Sequence, residues 1–306
     1  MAAPYRRGDG TTDAHPVSAT VTTAAPEHGR PGGADRHRRP TLGRLWLVGT
    51  VAGVVLAAVG CGRDEPRPPP SPPAPSGPGF VVLSDVDHRV LTDIRYATGY
   101  NFVGRRVAGY QEPLCLLTAR AAEALRGVQD AALAAGRSLK VYDCYRPQRA
   151  TDDFLNWAGQ PGQDTMKAAF YPRVAKAELV DRGYLGAPSA HSRGSTVDVT
   201  LVDMPAPEQA RYVPGQPLVA CTAARPQRFA DNSVDMGTGF DCFDPLSHTD
   251  SERVDPTARE NRRQLRQLMA DGGFVGYDRE WWHFRLRDEP WPDTYFDLPV
   301  TRSSAG

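Results

Sequence analysis

Ser189-Ala-His191-Ser-Arg-Gly194-Ser-Thr-Val-Asp198-Val-Thr200 sets a histidine and an aspartate on either side of a glycine. Val197 to Val202 is apolar and β-branched around the acid, so it reads as a strand entered from the Ser192–Ser195 turn. His191 and Asp198 are seven positions apart, and an odd offset on one regular strand aims two side chains at opposite faces. A glycine-containing reversal between them brings both to one point. An acid in such an apolar run is costly to bury without a cation. Asp198 therefore reads either as a plain strand opening or as a ligand.

Far downstream, Glu280-Trp-Trp-His283-Phe adds a second imidazole and a spare carboxylate. Two histidines and one acid leave a tetrahedral zinc with a position open to water, the arrangement of a catalytic site. The spare acid is what such a site needs to take a proton from that water. His191, Asp198 and His283 are thus candidate ligands of one Zn2+, and Glu280 is the candidate base. Glu280 is also readable as a surface ion pair with Arg279. As a strand, residues 280–286 place Trp281, His283 and Arg285 on one face and Trp282, Phe284 and Leu286 on the other. Glu280 then sits at the strand's entrance, and its spacing leaves open whether it faces the metal. His248 is a minor alternative ligand, and His88 reads as a surface residue.

Around these segments the pattern is α+β: a small, mostly antiparallel sheet with flanking helices. Thr118 caps a helix stopped at Gly136, with Leu125, Val128 and Leu133 inward. Ser138 to Asp143 alternates as a strand broken by Pro147, leaving Arg146 at its edge. A helix over 148–157 follows, and 256–272 is amphipathic with Leu265, Leu268 and Met269 inward. Arg146 is either a surface residue or a fixed cation that stabilises an oxyanion. Asp241, in the glycine-rich Asp235–Asp244 turn, is structural or pairs with a substrate ammonium.

The front of the chain reads differently. Residues 1–44 form a disordered basic leader, 45–60 an apolar export segment, and 61–79 a proline-rich spacer. Residues 80–306 form the zinc domain. Ala58-Val59-Gly60-Cys61 resembles the lipobox of bacterial lipoproteins, which implies lipid on Cys61 and a membrane-anchored, extracytoplasmic domain. The alternative is an uncleaved N-terminal anchor, against which stands an apolar run shorter than the ~20 residues a bilayer needs. A start site further along would account for the forty residues ahead of the signal. With 36 basic and 36 acidic residues the chain is balanced, which gives no reason to expect nucleic acid. Cys115, Cys144, Cys221 and Cys242 remain, an even number suited to an oxidising compartment. Four cysteines allow three connectivities. The favoured one is local, Cys115–Cys144 with Cys221–Cys242, ahead of thiolate catalysis by Cys144 or Cys242.

Ser-x-His-Ser-Arg-Gly-Ser-x-x-Asp with Glu-Trp-Trp-His resembles the zinc D-alanyl-D-alanine dipeptidases, the VanX-type branch of the D-Ala-D-Ala metallopeptidases. The blocks Asp93–Thr98, Tyr142–Pro147, Asp235–Asp241, Asn261–Arg263 and Arg287–Pro290 extend the likeness across almost the whole folded part. The resemblance implies the small fold shared with hedgehog-type and lysostaphin-type metallopeptidases. It makes His191, Asp198 and His283 the zinc ligands, Glu280 the general base, and Arg146 the oxyanion stabiliser. Ser189 and Asp241 match positions near the ends of the dipeptide, with Asp241 on the free ammonium. The exported, lipidated leader and the cysteine pairs depart from the family, with Cys144 standing where a small residue is usual. The expected activity is hydrolysis of D-Ala-D-Ala or a related dipeptide, outside the cytoplasm, in wall turnover. A protein outside the membrane cannot deplete the cytoplasmic dipeptide pool, which disfavours an antibiotic-resistance role. The alternatives are a D,D-carboxypeptidase on peptidoglycan stems and a non-catalytic domain that binds wall fragments.

Overall fold

A computed structural model describes residues 78–306. The leader, the apolar segment, Cys61 and the spacer up to residue 77 lie outside the described residues. No helix among the described residues is long and apolar enough to cross a membrane.

The first strand, β1 (Phe80–Val82), leads into a single helical turn, α1 (Leu83–Val86), and then β2 (Leu91–Thr92). Next come β3 (Leu116–Thr118) and the long helix α2 (Ala119–Ala134). Thr118 caps α2, its Oγ1 accepting from Ala121 N at 3.3 Å. Leu125 and Val128 are buried as expected, while the inward position one turn on is Ala132, with Leu133 half-buried. Gly136 closes this helix in a left-handed conformation, φ +75°.

The chain then enters β4 (Arg137–Asp143), α3 (Gln148–Gly159), a further turn α4 (Lys167–Phe170) and β5 (Thr196–Asp203). Helix α5 (Pro256–Asp271) begins with Pro256 behind the Asp255 cap and buries Leu265 and Met269. The last strands are β6 (Phe274–Tyr277) and β7 (Glu280–Leu286). Five strands form one sheet in the order β2-β4-β5-β7-β6, parallel only between β2 and β4, while β1 and β3 make a separate antiparallel pair. The α+β, mostly antiparallel expectation is met.

β4 does not alternate as expected: Ser138 through Asp143 are all buried. Helix α2 packs against this strand. Asp231 covers the other exposed prospects, accepting from Tyr142 Oη at 2.9 Å and pairing with Lys140. A central strand covered on both faces loses the polar-out half of its pattern.

Register then builds the site. Asp143 pairs with Asp198 across β4–β5, and Asp198 pairs with His283 across β5–β7. The three residues form a row over the middle of the sheet. The loop carrying Asp241 is held from α5. Buried Arg262 donates to the carbonyls of Met236, Leu246 and His248 at 2.8, 2.9 and 2.7 Å, and Asn261 donates to Asp235 O at 2.8 Å.

Candidate active site

His191 lies in a 3-10 turn, Ala190–Arg193, capped by Ser189, whose Oγ accepts from His191 N at 3.3 Å. Gly194 ends the turn with φ +79° and turns the chain into β5. A Cβ there would come within 2.2 Å of the Phe80 ring, so glycine is required both for conformation and for space. That reversal sets His191 beside Asp198 despite their odd spacing.

Three donor atoms converge. His191 Nε2 is 3.1 Å from His283 Nδ1 and 3.3 Å from Asp198 Oδ1, and the last two are 3.2 Å apart. Ligand distances of about 2.0–2.1 Å around a tetrahedral zinc imply ligand–ligand edges of about 3.3–3.4 Å, so the donor set fits the ion. Among the described residues this is the one His/Cys/Asp/Glu cluster with the geometry to hold a metal. His191 Nδ1 lies 2.7 Å from the Cys144 carbonyl. Donating its proton there leaves the Nε2 lone pair for the ion. Burial lowers the pKa of His283, favouring the neutral form a ligand needs. Asp198 is held below the usual carboxylate range, because His191 and His283 outweigh the cost of burying it. His248 lies apart from this cluster, and His88 is exposed.

Glu280 reaches the cluster, with Oε2 3.8 Å from His283 Nδ1. The reason is a break in strand register. Gly276 faces Phe284 but Tyr277 faces Glu280, which leaves Trp281, Trp282 and His283 without partners on β6. A bulge re-aims side chains that regular alternation would separate. The same bulge corrects the expected faces. Trp282 lines the cavity with Glu280 and His283, whereas Trp281 points away and donates to Thr238 Oγ1 at 2.9 Å. Burial, then Asp198 and Asp241, push the Glu280 carboxyl well above its ordinary pKa.

Arg146 is no surface residue. Its guanidinium donates to Asp143 at 2.9 Å, lies 3.6 Å from Asp198 and 3.5 Å from Ser189 Oγ, and sits over the rings of Tyr96 and Phe154. Asp241 is buried and accepts from Tyr96 Oη at 2.9 Å. Burial and the charge of Asp198 raise its pKa well above normal. All these groups except Asp143 line one cavity of about 300 Å³, at the small end of ligand pockets. The structure joins Cys115 to Cys144 and Cys221 to Cys242, so neither Cys144 nor Cys242 is a free thiolate.

Sequence reasoning missed Asp143, Tyr110 and Tyr96. Asp143 looked like a strand end, yet it is buried, accepts from Tyr110 Oη and anchors Arg146. The signal available was its position three residues before Arg146.

The chain belongs to the D-ala-D-ala dipeptidase family, whose model matches residues 77–207 and 227–301. It is 40% identical to a D-alanyl-D-alanine dipeptidase of Streptomyces coelicolor over 72% of this chain and 98% of that protein. It is 39% identical to one of Enterococcus faecalis over 73% of this chain and 98% of that protein. A crystal structure of the vancomycin resistance D,D-pentapeptidase VanY with Zn(II) shows a distant likeness. It has 16% identity and a TM-score of 0.30, over 59% of this chain and 78% of that one.

Proposed function

We propose that this protein hydrolyses D-alanyl-D-alanine with zinc at His191, Asp198 and His283, outside the cytoplasm, in cell-wall turnover. One observation carries the chemistry. Asp198, Asp241 and Glu280 line the cavity, and Asp143 lies behind it, against the single guanidinium of Arg146. With all four acids ionised the site is short of three positive charges. Buried carboxylates are tolerated only when paired. A divalent ion and the ammonium of a free dipeptide supply that charge.

When bound, the ion polarises the scissile carbonyl and acidifies water. Glu280 takes the proton from the attacking water, whose oxygen bonds to the carbonyl carbon. Arg146 faces the oxygen that becomes negative. The C–N bond then breaks, and Glu280 hands its proton to the leaving amine, giving two D-alanines. Asp241, with Tyr96 on one oxygen, receives the substrate ammonium. Because Asp241 is 3% exposed, a peptide extended at its amino end would have to bury further residues there. This favours a dipeptidase over a carboxypeptidase. The purified chain is expected to cleave D-Ala-D-Ala, to lose activity on chelation, and to regain it with Zn2+. Cleavage of a pentapeptide stem in preference to the dipeptide would sink the reading.

Two disulfides support an oxidising location, as does the lipobox-like Ala58–Cys61. In cells, the chain is expected in the membrane fraction with lipid on its Cys61, and Cys61→Ser is expected to release it. Recovery of the unaltered chain from the cytosol with reduced cysteines would overturn this location.

A further inference from the structure

Residues 208–226 fall between the two stretches the family model matches, yet one of them, Cys221, is fastened to the loop that carries Asp241. Cys221 grips the Asp241 loop at two points. Its carbonyl accepts from Gly239 N at 3.0 Å, and its sulfur is bonded to Cys242. The two attachments bracket Phe240 and Asp241. Asp241 has φ +56°, a left-handed conformation uncommon for a non-glycine residue, though an aspartate tolerates it better than most. Phe240 is fixed as well, stacked on Tyr142 with centroids 4.3 Å apart and edge-on to Trp282 at 5.4 Å. Beyond the bracket, Phe243 N donates to Phe170 O at 2.7 Å. The bracketed, left-handed residue is thus the one whose carboxylate faces the cavity, and the segment outside the family model is fastened on both sides of it.

We infer that Cys221 is a positioning residue: through the Gly239 hydrogen bond and the Cys242 bridge it holds the Asp241 carboxylate where the dipeptide ammonium binds. The inference rests on the dipeptidase reading above. It distinguishes the two bridges. Cys115–Cys144 adjoins the carbonyl that orients His191, so its loss acts on the metal. Cys221–Cys242 acts on substrate binding.

Variants are a cleaner test than thiol reductants, because thiolates themselves bind zinc. The chain carrying Cys221→Ser and Cys242→Ser is expected to show KM for D-Ala-D-Ala raised about tenfold or more, with kcat changed less than about threefold. Zinc per chain stays unchanged. In an Asp241→Asn background the same pair is expected to add nothing to KM, because the group it positions is already lost. Cys115→Ser with Cys144→Ser is the contrast, weakening zinc retention against a chelator about 10–100-fold. Unchanged KM with only a lower Tm in the Cys221/Cys242 pair would overturn the inference, as would zinc loss matching the loss of activity. Cys221→Ala with Cys242→Val refills the sulfur space and serves if the serine pair does not fold. Should the unaltered chain fail to cleave D-Ala-D-Ala, the dipeptidase reading fails, and amide exchange decides the clamp separately. Faster exchange at Gly239–Phe243 with β4 and β5 still protected supports it, and unchanged exchange refutes it.

Discussion

Glu280→Gln is expected to lower kcat on D-Ala-D-Ala by about 10²–10⁴-fold, the range for removing a positioned general base. Zinc content should stay at one per chain, because Glu280 is outside the donor triangle of His191, Asp198 and His283. Glutamine preserves volume and hydrogen-bonding capacity but cannot carry the transferred proton. KM should change far less than kcat, since the proton transfer is made only in the transition state. The test is steady-state kinetics beside metal analysis of the same preparation. Glu280→Ala should be as inactive, again with zinc bound. A glutamine variant keeping more than about a tenth of the activity would remove Glu280 from the base role, given the loss a base predicts.

The geometry behind that prediction was only half legible in the sequence. The β-branched run around Asp198 announced β5, and Gly194 announced the reversal that brings His191 to it, because both are local signals. Thr118 and Gly136 bounded α2 for the same reason. Glu280 was different. Its convergence on His283 depends on Tyr277 pairing with Glu280 while Gly276 pairs with Phe284, a slip that strand alternation cannot foresee. The Trp281 and Trp282 faces went wrong for the same cause. Asp143 was hidden by another limit. Its meaning comes from Tyr110 and from the Asp143–Asp198 register, contacts between segments with no shared period. Arg262 belongs to the Asn261–Arg263 block, but nothing in a helical pattern says that an inward arginine will bind three loop carbonyls. The left-handed backbone of Asp241 was equally silent, since the turn around it offered glycines for that conformation.

Arg146→Lys is expected to lower kcat by about 10²–10³-fold, the loss associated with one oxyanion donor, while zinc and the fold persist. The argument rests on what the guanidinium does at once. Nε and Nη2 both lie 2.9 Å from Asp143 Oδ2, Nη2 lies 3.6 Å from Asp198, and Nη1 turns toward Ser189 at the cavity. Tyr96 and Phe154, in contact with each other and with ring centroids 5.1 and 5.0 Å from the guanidinium carbon, pack against it. A planar fork can be anchored on one edge and offer the other to substrate; a lysine ammonium has no second edge. Lysine keeps the charge that compensates Asp143 but is drawn onto that acid and away from the oxyanion. Arg146→Ala is expected to do more. It leaves Asp143, 0% exposed, without its cation, and breaking a buried pair from one side costs about 3–5 kcal/mol. Alanine should therefore lower Tm together with kcat, whereas lysine should lower kcat with Tm nearly unchanged. A lysine variant within about threefold of full activity would show that charge alone suffices and that the fork geometry is irrelevant, against the argument from guanidinium shape.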